Sequence, residues 1–527
     1  MTTLIPGAAM DGLGARQPNR QQSRTTRSLR ATWRQVTLLL AAVGLLLAPI
    51  PLLAQGETVA MDAPAVTWSE PTNLSRSSRS SAYPTIVADQ RGWVHVLWSQ
   101  DMTGMPMREG DLPTIGNAIA YTRWDGHRWT QPVDVVSVPD EALAGFPEVA
   151  LDANDNLHLV WIGQSTVYYS RAPAHEAAST HAWSSPVAVA QGNLPRTHPV
   201  DVAVDRNAVI HVVLADNSFE GAARSTRSLD GGTSWQPLQD ISAHSDPLET
   251  GVARVQLVVD ALDRLHATWQ TNQAEGYGQA VYYARSLDGG QTWDTPQRFG
   301  YRDPGEIFVE YLTLTSRGDN ELHSFYVDGT GIGRWHRIST DGGETWSAAQ
   351  HVITDMEGVN GYMAPVVDGA GRLHLMINMR TRAGQAVGVY HATWLDGNWS
   401  AVRAVDDSSP AAPSAHAAAA TIRLGNEIHV AYVQLAGGEI WHVRGTISDI
   451  GPQPTIGAAT GALAPLPTVA VPTPPSGPIE RTAVAQLSLP AGTEAPEGQW
   501  AWLVGLMATA ALVVGASWRR LAGFGER

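Results

Sequence analysis

Three stretches carry nearly the same eight residues: SLDGGTSW (228–235), SLDGGQTW (286–293) and STDGGETW (339–346). In each, a carboxylate (Asp230, Asp288, Asp341) is spaced to accept N–H groups of its own turn. Two glycines follow that can take φ > 0, and then a Trp (Trp235, Trp293, Trp346) offers a large apolar face just beyond the turn. WDGHRW (124–129) and WLDGNW (394–399) are looser versions. A tight hairpin recurring every ~55 residues is the mark of a repeat architecture.

Working outward, a second phrase recurs seven times: VADQRGWVHVLW, ALDANDNLHLVW, AVDRNAVIHVVL, VVDALDRLHATW, LTSRGDNELHSFY, VVDGAGRLHLMI and IRLGNEIHVAY. Its histidines are His95, His158, His211, His266, His323, His374 and His429, spaced 51 to 63 residues apart. Six residues before them stand Asp89, Asp152, Asp205, Asp260, Arg317, Asp368 and Arg423. A constant offset across a Gly- or Asn-bearing turn predicts a β-hairpin. A third strand follows each hairpin: AIAYTRW, TVYYSRA, AARSTRS, AVYYARS, GRWHRIS, GVYHATW and EIWHVRG. A fourth opens on Trp129, Trp183, Trp235, Trp293, Trp346 or Trp399, which is one too few. VTWSEPTNLS (66–75) has the missing phrasing and no unit of its own. The expected fold is therefore all-β: a seven-bladed propeller of four-stranded antiparallel blades over 60–450, its last blade closed by the strand around Trp68. Seven histidines at one strand position form a ring, not a tetrahedral cluster, so a hydrogen-bonding role is expected and no metal.

The phrase Ser-x-Asp-x-Gly-x-x-Trp resembles the Asp box of the BNR-repeat, sialidase-like superfamily, and the resemblance covers roughly residues 66–447. In that family the box is structural and lies on the face away from the ligand. The resemblance implies a sialidase-type set: an arginine grip on a carboxylate from Arg79, Arg196, Arg380 and Arg382, the pair Tyr362 and Glu310 as nucleophile and helper, and Asp111 as acid. Two departures stand against it. The family's Phe/Tyr-Arg-Ile-Pro segment has RSSAYP (79–84) as its nearest counterpart, and catalytic sialidase propellers typically have six blades.

Composition narrows the partners. The 527 residues carry a formal charge of -15, which disfavours nucleic acid, and contain no Cys, which removes disulfides and thiolate chemistry. No cofactor-binding motif is present. Residues 1–54 join six arginines to an apolar run, VTLLLAAVGLLLAPIPLLA (36–54), as a signal peptide or anchor does. The uncharged stretch 498–518 is long enough to cross ~30 Å of hydrocarbon, and Arg519 and Arg520 begin a short cytoplasmic tail, 519–527. The Pro/Ala/Thr-rich stretch 451–497 reads as a stalk. The propeller is thus expected outside the cytoplasm, attached to the cell membrane of a bacterial envelope. Tight turns lie on its lower face and long loops on its upper face. Arg79, Tyr83, Glu148, Arg196, His198, Arg254, Glu310, Tyr311, Tyr362 and His416 are expected near the upper axial mouth, with Tyr83 available to stack on a sugar. Recognition of an extracellular glycan, peptide or protein without catalysis fits this best. A sialidase-like glycoside hydrolase and a structural adaptor of an envelope complex are the alternatives.

Overall fold

The computed structural model describes residues 63–453 apart from 103–114, 137–142, 196, 219–220, 243–248, 274–275, 303–307, 330–332, 353–355, 382–386, 396, 406–414 and 435–436. The expected signal segment, transmembrane helix and tail, and nearly all of the stalk, lie outside them. Among the described residues no helix is long and apolar enough to cross a membrane.

Seven antiparallel sheets form a propeller. Six blades are each four consecutive strands, innermost first, over 81–136, 145–191, 200–240, 250–301, 309–351 and 356–404. Blade 7 takes three strands from 415–447 and its outer edge from the other end of the chain. Val66, Thr67 and Trp68 pair with Ile447, Thr446 and Gly445, and after a break Thr72 and Asn73 pair with His442 and Trp441. The Trp68 segment therefore closes the ring.

Each blade is covered by a neighbour on both faces, so its second strand has no solvent side. Val94–Gln100 and Leu265–Asn272 are buried at every position, which is why these strands read as near-continuous apolar runs. Apolar clusters bridge blades: Leu97 and Tyr121 of blade 1 share one with Leu159 and Trp161 of blade 2.

The repeated histidine holds each hairpin to the third strand. In blade 1, Asp89 Oδ1 accepts the N–H groups of Arg91 and Trp93, while Oδ2 lies 3.3 Å from His95 Nε2. The same acid–His contact recurs at Asp152–His158, Asp205–His211, Asp260–His266 and Asp368–His374. The opposite ring nitrogen meets the third strand, through the hydroxyls of Tyr121, Tyr169 and Tyr283 or through Nε2 of His336, His391 and His442. A carboxylate at Nε2 demands a proton there, so Nδ1 is the acceptor. The fourth-strand Trp of the following blade then packs on that third-strand ring: Trp235 on Tyr169, Trp346 on Tyr283, Trp399 on His336, Trp129 on His442. Trp68 packs on His391 in the same way, 5.6 Å between centroids, and so serves as the Trp that blade 7 itself lacks.

The Asp boxes are turn caps. Asp230 accepts Ser228 Oγ–H and the backbone N–H and hydroxyl of Ser234; Asp288 and Asp341 repeat this with Thr292 and Thr345. Gly232 and Gly343 sit at φ +89° and +84°. A Cβ on either would lie 2.0 Å or less from the ring or hydroxyl of Tyr169 or Tyr283 in the preceding blade. Glycine is required there by closeness as well as by backbone angle.

Candidate functional site at the axial mouth

The first strands surround the axis, and nearly all are bulged near the start. Registers shift between Ala82 and Thr85, Gly145 and Glu148, Ala253 and Gln256, Glu310 and Thr313, Gly358 and Met363, and His416 and Ala419. The bulge forces Tyr83, Phe146, Arg254 and Tyr311 to φ between 50° and 61°, and His198 stands at 45° in blade 3, the blade without a shift. Left-handed backbone at bulky residues costs about 1–3 kcal/mol each, and such strain clusters at ligand sites. Here His198, Arg254 and Tyr311 line the axial cavity, and Tyr83 packs beside them on the buried Phe146.

One level deeper, the residues ten before each histidine form a second ring: Thr85, Glu148, Asp201, Gln256, Thr313, Ala364 and Ala419. Together the two levels line a cavity of about 310 Å³, the size of a site for a small ligand. Its walls differ. Blades 1 to 5 contribute hydroxyl, carboxyl and amide groups, whereas blades 6 and 7 contribute, beside the Tyr362 hydroxyl at the mouth, Met363, Ala364, Pro365, Ala418, Ala419 and Ala420.

Arg254 is the charged centre of the mouth. Its guanidinium lies 3.6 Å over the ring of Tyr311, 3.6 Å from Glu310 Oε2, and hydrogen-bonds Tyr362. Burial works against its charge, but Tyr311, Tyr362 and Glu310 outweigh that and raise its pKa. Among the described residues Nε and Nη1 have no hydrogen-bond partner and are buried. His198 Nε2 lies 3.2 Å from the Tyr362 hydroxyl and Nδ1 lies 3.5 Å from Glu148 Oε1. Burial and then Arg254 push His198 down to about 3, so it is neutral at ordinary pH. Burial raises the Tyr362 phenol far above the usual range. Tyr83 packs on Phe146 with centroids 4.1 Å apart and rings tilted by 38°, and meets His198 edge-on.

Glu148 and Asp201 stand on adjacent blades. Burial pushes Glu148 up to about 8, although a hydrogen bond from Thr85 opposes this. Asp201 is raised by burial and by repulsion from Glu148. Asp201 also accepts the N–H groups of Leu257 at 2.8 Å and Val202 at 2.7 Å. Hydrogen bonds to both Asp201 oxygens favour its ionised form and oppose that rise.

Of the residues singled out from the sequence, Tyr362, Tyr83 and Glu310 meet around Arg254 and His198. Glu310 also accepts the Gly278 N–H at 2.9 Å. Arg79 turns instead to the carbonyl of Met102 in the upper loop of blade 1. Arg380 lies on the second strand of blade 6, opposite Glu357 and Val387. Asp111, Arg196 and Arg382 fall outside the described residues. Among those described, Arg254 alone supplies a guanidinium to the cavity. Asp201 and Phe146 escape a reading by residue type; the offset of ten from each histidine is the signal that finds Asp201.

A model of the BNR repeat-like domain matches residues 165–436, from the third strand of blade 2 into blade 7. The chain belongs to the BNR repeat-like family. It is a BNR, Asp-box, sialidase-like propeller, and its ring extends past both ends of the match to include Trp68. Similar solved structures include a protein of unknown function from Dyadobacter fermentans, 16% identical over 73% of this chain and 100% of its own, TM-score 0.46. Another is the intramolecular trans-sialidase of Ruminococcus gnavus, solved with oseltamivir carboxylate: 13% identical, 74% and 99% covered, TM-score 0.43. A Hadza microbial sialidase is 11% identical, with 74% and 97% covered and TM-score 0.42. No curated protein matches the BNR propeller's sequence.

Proposed function

We propose that this propeller is a recognition module that binds a glycan at its upper axial mouth without turning it over, and that it is held on the outer side of a cell membrane by its C-terminal apolar segment. The observation that carries the reading is the state of the mouth's ionisable groups. Arg254 keeps its charge and two guanidinium nitrogens that have no partner among the described residues, while His198 is held neutral at about 3 and the Tyr362 phenol is pushed up. By that measure His198 and Tyr362 are a poor base and nucleophile near neutrality, while Glu148, lifted to about 8, is the acid on which the second reading rests. Tyr311 and Tyr362 supply aromatic surface for a sugar ring, and Arg254 with Glu148 supplies donors for its oxygens. The last described residue, Gln453, lies against Gly369 and Leu424 in the lower hairpins.

A glycan array probed with the full chain tests this. Binding that is lost in Arg254→Ala is the expected outcome; an array without signal overturns it. One contact favours chemistry instead: Tyr362 bonded to His198, with Glu148 behind. Release of a reducing sugar or an unsaturated uronate by the parent protein, abolished in Tyr362→Phe, would establish that second reading.

A further inference from the structure

The mouth is bordered between blades 4 and 5 by a loop that carries an uncovered aromatic ring. Tyr277 follows the second strand of blade 4 and is 52% exposed. No other Tyr, Trp or Phe stands exposed among the described residues. Tyr301, on the outer strand of the same blade, lies under the Arg298 guanidinium at 4.4 Å; no ring or cation covers Tyr277 among the described residues. A single exposed aromatic is ordinary on a protein surface. The setting of this one is not.

Backbone bonds close the loop on itself: the Gln273 N–H donates to the Tyr277 carbonyl at 2.6 Å, and the Gly276 N–H to the Gln273 carbonyl at 2.9 Å. Gly276 takes φ +87°, which bulky residues avoid. Gly278 donates its N–H to Glu310 Oε1 at 2.9 Å, and a Cβ there would lie 2.2 Å from the Val309 carbonyl oxygen. The two glycines flanking Tyr277 thus seat the loop against the start of blade 5. Glu310 holds the loop with one oxygen, and its other oxygen lies 3.6 Å from Arg254, which lines the axial cavity. That cavity, about 310 Å³, is at the small end of ligand sites, so a glycan of several units must leave it over the rim. A pyranose has C–H groups on its faces and hydroxyls at its edge. Tyr offers a flat, rigid, amphipathic surface to such a ring at small entropic cost, and a fixed backbone lowers that cost further.

We propose that Tyr277 is a second sugar subsite, so that the chain recognises an oligosaccharide: its end unit sits in the axial cavity beside Arg254, and a following pyranose lies on the Tyr277 ring. This rests on the glycan-binding reading and adds the ligand's length and direction to it. Recognition at the mouth alone requires no more than one sugar. With the Tyr277 loop the ligand runs outward across the junction of blades 4 and 5, and a free monosaccharide is a poor ligand. Glu310 is the positioning residue of the arrangement, because it faces the cation of the first subsite and holds the loop of the second.

The test is a printed ladder of chito-, cello-, manno-, xylo- and galacturono-oligosaccharides, each from the single sugar to the hexamer, followed by titration calorimetry of the full chain with every member of a series that binds. The expected result is an affinity about tenfold higher for the di- or trisaccharide than for the single sugar, with little further gain beyond it. Tyr277→Ala is expected to bring the longer members down to the affinity of the single sugar, with an unchanged thermal midpoint because the ring is exposed. Tyr277→Trp is expected to keep the gain, since the flat face is what the sugar uses. Equal affinity along a binding series, or a Tyr277→Ala protein that keeps the gain, overturns the second subsite and leaves recognition at the mouth standing. A ladder and a glycan array that are both silent overturn both readings.

Discussion

Glu321 lies 2.6 Å from His323 Nε2, two residues away, in a blade where the usual aspartate six residues before the histidine is Arg317. The acid and the arginine have exchanged places. In blade 4, Asp260 caps His266 and is gripped by Arg264 at 2.6 Å; in blade 5, Glu321 caps His323 and is gripped by Arg317 at 2.6 Å. Blade 7 repeats the exchange with Arg423 and Glu427. What the fold needs at this corner is one carboxylate at Nε2 of a buried imidazole, from either end of the hairpin.

That equivalence is open to test by charge reversal. Glu321→Arg alone faces Arg317 with a second cation and removes the acceptor from a buried histidine, and is expected to cost about 3–5 kcal/mol. Adding Arg317→Asp rebuilds the blade 4 arrangement and should recover most of the loss. Urea denaturation of the two variants and the parent measures both steps; a double variant no more stable than the single one would refute the equivalence.

Blade 3 is the weak link in the same network. Where its neighbours place Tyr169 or Tyr283 against the histidine, it has Ser225, opposite Val213 in the register. A small cavity remains, lined by His211, Ser225, Gly290 and Trp293. Ser225→Tyr would fill it, give His211 Nδ1 a hydroxyl donor and give Trp293 a ring to pack on. A gain of about 1 kcal/mol is expected, read as a higher midpoint in urea with an unchanged slope.

The architecture was legible because the fold constrains the same residue type at the same offset in each blade. His95 and its six counterparts, the Asp-box turns and the fourth-strand Trp residues meet the same kind of neighbour in nearly every blade, so repetition shows through. Even the chain's split closure was visible, since Trp68 carries a phrase that needed a partner. The site was only half legible for the opposite reason. Positions ten before the histidines face the empty axis, where the fold demands nothing, and they read Thr85, Glu148, Asp201, Gln256, Thr313, Ala364 and Ala419 with no common chemistry. Arginines picked by type alone scattered: Arg79 serves a loop carbonyl, while Arg254, noticed only as a mouth residue, holds the centre.

The acid pair gives stability a pH dependence of definite sign. Burial lifts Glu148 from the usual 4.5 to about 8, so between those values the folded protein binds more proton than the unfolded chain. Stability must then fall as pH rises through that window, with a ceiling of ~1.4 kcal/mol per pH unit for one proton. The Glu148 side chain is 25% exposed, and water reduces the slope below that ceiling. His198 acts in the other direction at lower pH: depressed from 6.5 to about 3, it makes stability rise with pH between those values. Thermal melts from pH 6.5 to pH 8 should show a decline in the parent that Glu148→Gln flattens. A parallel decline in both proteins would assign it elsewhere.

Ring closure carries the last expectation. Leu74 is 1% exposed and packs with Val96, Trp98 and Ile440, while the adjacent Ser75 Oγ accepts the Ile440 N–H across 365 residues of chain. If blade 7 is as firmly built as the blades made from continuous chain, Leu74→Ala should cost the usual 2–5 kcal/mol of a buried leucine, about the same as Leu159→Ala in blade 2. Both variants should also unfold in one transition, because each blade is half of its neighbour's core. A Leu74→Ala protein that loses blade 7 in a separate early step, seen as hydrogen exchange confined to residues 427–447, would instead make the closure a local latch that opens before the ring does.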